Sequence, residues 1–157
     1  MSQASPKNAE SIAPRPVVLV GVDGSDNSQE AVDWAVRYAT ATGGSLELLI
    51  AWQWPMTYGS PVALPDFNPE TDAQQVVDKT KQAVGLPAER VNAMVVSGPA
   101  ALALVARSES VDLLVVGSRG LGGFSGLILG SVSTHCVHHA KCPVVVVRAA
   151  NTHGERR

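Results

Sequence analysis

Residues 112–120 read DLLVVGSRG, and after nine intervening residues the pair Gly130-Ser131 opens the helix-like run SVSTHCVHHA. An apolar, β-branched stretch that runs into glycines and then into a helix start has the layout of a phosphate cradle. Glycine lets the backbone come close to an anion and adopt positive φ. The free N–H groups and the positive end of the following helix then face the negative charge.

Outward from this stretch, short Val/Leu/Ile runs alternate with helix-like segments. Upstream, Val17 to Val22 forms a strand that ends in the polar turn Asp23-Gly24-Ser25-Asp26. Ala31, Trp34, Ala35, Tyr38 and Ala39 then recur at helical steps until Gly43-Gly44 stops the helix, and Leu46 to Trp52 is the second strand. Gln53 to Pro69 carries four prolines and no period, so it reads as a long loop before a short helix over 70–84. Asn92 to Val96 is the third strand. Pro99 stands at the start of an apolar helix to Ser108, and Leu113 to Val116 leads into the glycines. A helix over Ser131 to Ala140 and a strand over Val144 to Arg148, entered through Pro143, complete the chain.

The order β-α-β-α-β-α-β-α-β, with continuous rather than alternating apolar strands, specifies an α/β three-layer sandwich. Its five-stranded parallel sheet is covered on both faces and joined by right-handed crossovers. In such sheets ligands collect beyond the carboxyl ends of the strands, where strand order reverses. The loops after the first and fourth strands are therefore the ones to watch.

Composition agrees with one domain. The chain has 157 residues, 45% of them hydrophobic and 17% charged, which is enough for one core and too apolar for disorder. Residues 1–15 and 149–157 lack periodicity and read as loose tails around a domain over 16–148. A formal net charge of −2 gives no electrostatic reason to expect nucleic acid or anionic membrane as a partner. The polar N-terminus and the lack of any apolar run near the roughly twenty residues of a membrane span lead to the expectation of a soluble, cytoplasmic protein.

Gly117-x2-Gly120-x9-Gly130-Ser131, placed after Asp112-Leu-Leu-Val-Val and before Pro143-Val-Val-Val-Val, closely resembles the universal stress protein family. So do Val20-Gly-Val-Asp23-Gly-Ser at the first strand and Ser97-Gly98-Pro99 after the third. The resemblance covers nearly all of Pro16 to Arg148. It implies a Rossmann-like fold of the adenine nucleotide alpha hydrolase type with strand order 3-2-1-4-5, which sets Asp23 and Gly117 on one crevice. It implies the ATP-binding branch, since the branch without ATP lacks these glycines. Val22 and Asp23 then match the loop whose aspartate takes the ribose hydroxyls, and Ala51 and Val116 match the adenine pocket. Gly117, Ser118, Arg119, Gly120, Gly130, Ser131, Val132 and Ser133 match the phosphate loop and helix start. ATP, with Mg²⁺ bound through its phosphates, is the implied ligand, and a homodimer through strand 144–148 the implied assembly. A bare valine edge gives that pairing a physical reason.

The motif is not the other common phosphate loop. No Gly-x4-Gly-Lys-Ser/Thr occurs, so no lysine reaches the β- and γ-phosphates, and Ser125 stands where a dinucleotide fingerprint needs its third glycine. No catalytic base is evident, so the expectation is retention of ATP rather than turnover, in a nucleotide-responsive stress module. A slow ATPase and a module that binds another adenine nucleotide such as cyclic AMP, or none, are the alternatives. A side chain at Gly130 is expected to occupy phosphate space.

The remaining residues have plainer readings. Ser25 or Asn27 suits the cap of the first helix better than Asp23 does. Gly122, Gly123 and Gly126 give the intervening loop freedom, with Phe124 and Leu127 available to pack on a nucleotide or partner. His135 and His139 lie one turn apart, but nothing completes a zinc set. Cys136 and Cys142 read as packing residues, and Trp52 as a neighbour of the adenine wall.

Overall fold

A computed structural model describes residues 14–62, 64–122, 126 and 128–149. Most of both tails, together with Gly123, Phe124, Ser125 and Leu127, lies outside the described residues. The elements are β1 (Val17–Gly21), α1 (Asp26–Thr42), β2 (Ser45–Trp52), β3 (Met56–Thr57), β4 (Ser60–Pro61), α2 (Pro69–Ala83), β5 (Val91–Ser97), α3 (Ala100–Arg107), β6 (Leu113–Gly117), α4 (Ser131–His139) and β7 (Val144–Val147). Five strands form one parallel sheet in the order β5-β2-β1-β6-β7. That is the expected 3-2-1-4-5 order of an α/β sandwich.

Strand parity builds two cores. Val18 and Val20, Leu46, Leu48 and Ile50, and Leu113 and Val115 face α1 and α2. Leu19, Leu49, Leu114 and Val116 face the other way, with Leu104 of α3 and Cys136 of α4. Both faces are covered, which is why the strands read as unbroken apolar runs. Glu47 has the parity of the α3 face, and Arg107 meets it there with Nε and one terminal nitrogen, each 2.6 Å from a carboxylate oxygen. This bond and the carboxylate charge raise the Arg107 pKa above its ordinary value.

Local signals set the helix ends. Ser25 caps α1 by accepting from Ser28 N at 3.2 Å, so the helix begins at Asp26, ahead of Ala31, the first periodic residue. At the other end Gly43 adopts the left-handed conformation, φ 69°, that favours glycine. Arg90 fastens the exit by donating to Ala39 O at 2.8 Å and from Nε to Gly44 O at 2.8 Å. Asn68 caps α2 ahead of Pro69 at the first helical position.

The 53–69 stretch differs from the expected featureless loop. Met56–Thr57 and Ser60–Pro61 pair antiparallel around Tyr58 and Gly59, both at positive φ, 51° and 81°. A two-residue turn of this kind suits the twist of a hairpin. Trp54 packs edge-on against Phe67, ring centroids 6.4 Å apart, while Met56 and Tyr58 are exposed.

Candidate functional site

Strand order reverses between β1 and β6, because the chain leaves β1 toward β2 and later returns to β6 on its opposite side. A cavity of about 470 Å³ opens over the carboxyl ends of these two strands. This is the position that a doubly wound sheet reserves for ligands. Leu49, Leu104 and Val116 supply an apolar floor. Gly21 belongs to that floor because a Cβ there would lie 3.1 Å from Leu104 Cδ1.

The polar rim comes from two loops. Asp23 follows β1, and its Oδ1 accepts from Ser25 N at 2.8 Å while Oδ2 accepts from Leu121 N at 3.3 Å. Its own N–H donates to Ser28 Oγ at 3.1 Å, which holds the loop against α1. The carboxylate thus spans the crevice from the first loop to the glycine loop. Gly120 leaves room for it, since a Cβ there would stand 2.5 Å from Oδ2.

The second loop leads into an open helix start. In α4 the first N–H bonded to Gly130 O is that of Thr134, at 3.0 Å, and no side chain caps the end. The N–H groups of Ser131, Val132 and Ser133 precede it, and all three residues line the cavity. Three donors at the positive end of a helix make an anion-binding surface. Arg119 lines the same cavity and has no ion pair among the described residues.

Ser118 ties the two halves of the motif together from outside the cavity. Its carbonyl accepts from Gly130 N at 2.6 Å and from Ser133 Oγ at 3.0 Å. Its N–H donates to Val147 O at 2.7 Å, and its buried hydroxyl donates to Asn27 Oδ1 at 3.2 Å. These bonds fix where α4 begins relative to β6. Ser133 is buried too, and its hydroxyl proton is directed at Gly130 O and Ser118 O, so it braces the loop rather than adding a free donor. Ser131 is exposed and keeps its hydroxyl available.

Of the residues selected from the sequence, Val22, Asp23, Val116, Gly117, Arg119, Gly120, Gly130, Ser131, Val132 and Ser133 line the cavity. Ser118 and Ala51 do not. Ala51 pairs with Val96 of β5, past the Gly21–Leu49 pair where β1 ends, and packs in the α3-side core. Trp52 has the opposite parity and packs on the α1 and α2 side, away from the cavity floor. Sequence reading did not select Gly21, Ser28, Leu49, Ala100, Leu104, Leu121 and Gly122, which also line it, the last having been read only as loop freedom. The parity of β2 was the available signal for Leu49.

The three motif glycines differ in what they permit. A Cβ at Gly117 would sit 2.8 Å from the carbonyl carbon and oxygen of Asn27, so β6 and the first turn of α1 meet there only through glycine. Gly130, with φ −77° and ψ 171°, has ordinary extended geometry, and a Cβ there would come no nearer than 3.4 Å to Arg119 Cα. Within the protein itself, position 130 has space for a methyl group.

His135 and His139 pack against each other with ring centroids 4.4 Å apart and planes tilted by 41°. Among the described residues no group of three His, Cys, Asp or Glu side chains is placed to hold a metal ion. Cys136 is fully buried, and burial, with the neighbouring Cys142, pushes its thiol up to about 11. Burial also raises the Cys142 thiol. Both are free and pack in the α3-side core.

The sequence model of the universal stress protein family matches residues 15–148. Universal stress protein Rv2005c of Mycobacterium tuberculosis is 37% identical over 139 residues, which cover 83% of this chain and 45% of the relative. Rv2623 of the same organism is 34% identical over 161 residues, covering 91% of this chain and 50% of the relative. The chain thus spans about half the length of the curated relatives it matches. Among solved structures, a universal stress protein in complex with cAMP is 28% identical with a TM-score of 0.66, covering 88% of this chain and 100% of the other. The UspA protein of Lactobacillus plantarum shares the fold with a TM-score of 0.72 at 23% identity, over 87% of this chain and 99% of that one. An Arabidopsis thaliana family member with AMP bound is similar over 89% of this chain and 96% of its own, with a TM-score of 0.57 at 22% identity.

Proposed function

Since the chain belongs to the universal stress protein family, we propose that its cavity binds an adenine nucleotide, with ATP the preferred ligand, and that the protein acts as a nucleotide-responsive stress module. The observation that carries this is the pairing of an acceptor with a donor set across one crevice. Asp23 offers carboxylate oxygens to a ribose diol, while the open N–H groups of α4, the Ser131 hydroxyl and Arg119 suit phosphate. The apolar floor of Leu49, Leu104 and Val116 suits a purine. Binding of cAMP and AMP by the two structural neighbours supports the adenine class.

Mg²⁺ fits only as a passenger on the phosphates. Among the described residues Asp23 is the sole carboxylate lining the cavity, and one carboxylate cannot by itself build a protein site for the ion. The same shortage argues for retention over hydrolysis. A water attacking the terminal phosphate needs orientation, and the lining residues supply no further base. A slow ATPase remains the enzymatic alternative, read out as turnover that both Asp23→Ala and Gly130→Ala abolish.

Cyclic AMP is a second reading, favoured by the cAMP complex of the 28% identical neighbour. The two are separated by eluting the nucleotide from freshly purified protein, measuring absorbance at 260 nm, and identifying it by chromatography. ATP, ADP or AMP in the eluate is expected. Cyclic AMP alone would replace the first reading with the second, and protein that carries no nucleotide and takes up none would overturn both.

We assign the assembly to pairing of β7, the outer strand of the sheet, with its symmetry mate. Val144–Val147 are all half-buried in the single chain. An uncovered valine edge invites such pairing. Light scattering should give twice the chain mass, and a charged substitution such as Val146→Lys should return it to one.

A further inference from the structure

A second cavity, about 290 Å³, lies on the far side of the Ser118-Arg119 segment from the first, at the ends of β6 and β7. It is bordered by Asn27, Ser118, Arg119 and Arg148. Arg119 lines both cavities, whereas Arg148 lines only the second. No acidic side chain lines it among the described residues.

The chemistry of this border is one-sided. Asn27 Oδ1 is committed as an acceptor to Ser118 Oγ at 3.2 Å and Ala149 N at 3.1 Å, so the unspent capacity of that amide is its N–H donors. Neither Arg119 nor Arg148 has an ion pair or hydrogen bond among the described residues, in a chain whose net charge is −2. Two arginines bordering one small concavity bring like charge to it, and an anion bound there would offset that charge. Guanidinium matches the paired oxygens of a phosphoryl group, and donors without acceptors favour an anion over a cation or a neutral alcohol.

We propose that this second cavity binds a phosphoryl group, with Arg148 as its specific ligand and Arg119 linking it to the first cavity. The phosphoryl group has two sources. It is either the terminal part of a polyphosphate chain whose nucleoside occupies the first cavity, or a separate free phosphate or pyrophosphate. The first source rests on the nucleotide reading above; the second does not.

The test is calorimetric titration of the full chain, stripped of nucleotide, with AMP, ATP, and pyrophosphate alone. The wild-type chain is compared with Arg148→Gln, and sulfate serves as the control for nonspecific screening. The Arg148 side chain is exposed and has no ion pair or hydrogen bond among the described residues, so the variant should melt with the wild type. Loss of one charge-assisted contact corresponds to about a tenfold or greater weakening. If the polyphosphate chain is the source, Arg148→Gln weakens ATP by that factor and leaves AMP unchanged. If the anion is separate, the variant weakens pyrophosphate by that factor and leaves both nucleotides unchanged. Equal affinities of wild type and variant for ATP and for pyrophosphate would overturn the proposal, as would pyrophosphate bound no better than sulfate with ATP bound no better than AMP. Failure of AMP to bind the wild type would instead strike the nucleotide reading, leaving the pyrophosphate titration to judge the second cavity alone.

Discussion

The two halves of the glycine motif, 117–120 and 130–133, share one sequence pattern but play different physical parts. The first half is closed. Gly117 is pressed against the Asn27 backbone, and Ser118 spends its carbonyl, N–H and hydroxyl on α4, β7 and α1. The second half is open, with an extended Gly130 and three first-turn N–H groups of α4 free of side-chain caps. One half chiefly builds the crevice, with Arg119 also lining it, and the other presents its open N–H groups to what enters. A shared motif therefore does not imply a shared reason for each glycine.

Substitutions can break that contrast. The largest expected effect on folding is at position 117, where a methyl group must displace backbone. Gly117→Ala should destabilise the protein by about 1–3 kcal/mol, the range for overpacking, read as a lower urea midpoint with an unchanged slope. Gly120→Ala should cost much less stability, because the atom in its way is the far end of the Asp23 side chain. Moving that carboxylate should instead weaken adenine nucleotide binding about tenfold, measured by titration. Gly130→Ala should lower stability by only about 0.5–1 kcal/mol, the difference between glycine and alanine at a helix cap. Its effect should appear in the affinity for nucleotides that carry phosphate and be absent for adenosine. If Gly130→Ala unfolds the protein while Gly117→Ala does not, the division of labour is wrong.

A last effect is confined to alkaline pH and absent at neutrality. The buried Cys136 thiol has a folded pKa of about 11 against an ordinary 9.0. The neutral thiol is thus favoured by folding, so its contribution is complete below pH 9 and is lost as pH rises toward 11. Cys136→Ala should flatten the decline in melting temperature across that window. A decline of equal slope in the variant would place its cause elsewhere.

The sheet was legible because β1, β2 and β6 are largely buried on both faces and the outer strands β5 and β7 mostly half-buried, so all five appear as predominantly apolar runs. Capping residues such as Ser25 and the stop at Gly43 were legible because their chemistry is local. The β3–β4 hairpin was not, since two-residue strands are too short to show alternation. Of the residues expected at the site, those that follow a strand in sequence, Asp23 and Arg119 among them, line the cavity. Leu49, Ala100 and Leu104 were missed because only tertiary packing brings β2 and α3 beneath the crevice. Ser118 stands outside this cavity for a related reason. Adjacency to Gly117 says nothing about the side to which a hydroxyl turns, and here it turns to Asn27. Ala51 lies on the same face as Leu49, but beyond the end of β1.

The central claim is that one crevice joins Asp23 and the open start of α4 around an adenine nucleotide. Equilibrium titration of nucleotide-free protein with ATP tests it most directly. The account predicts saturable binding of one ATP per chain, weakened about tenfold or more by Asp23→Ala with the fold intact. No saturable uptake by the folded wild-type protein, or identical affinities for wild type and Asp23→Ala, would contradict it.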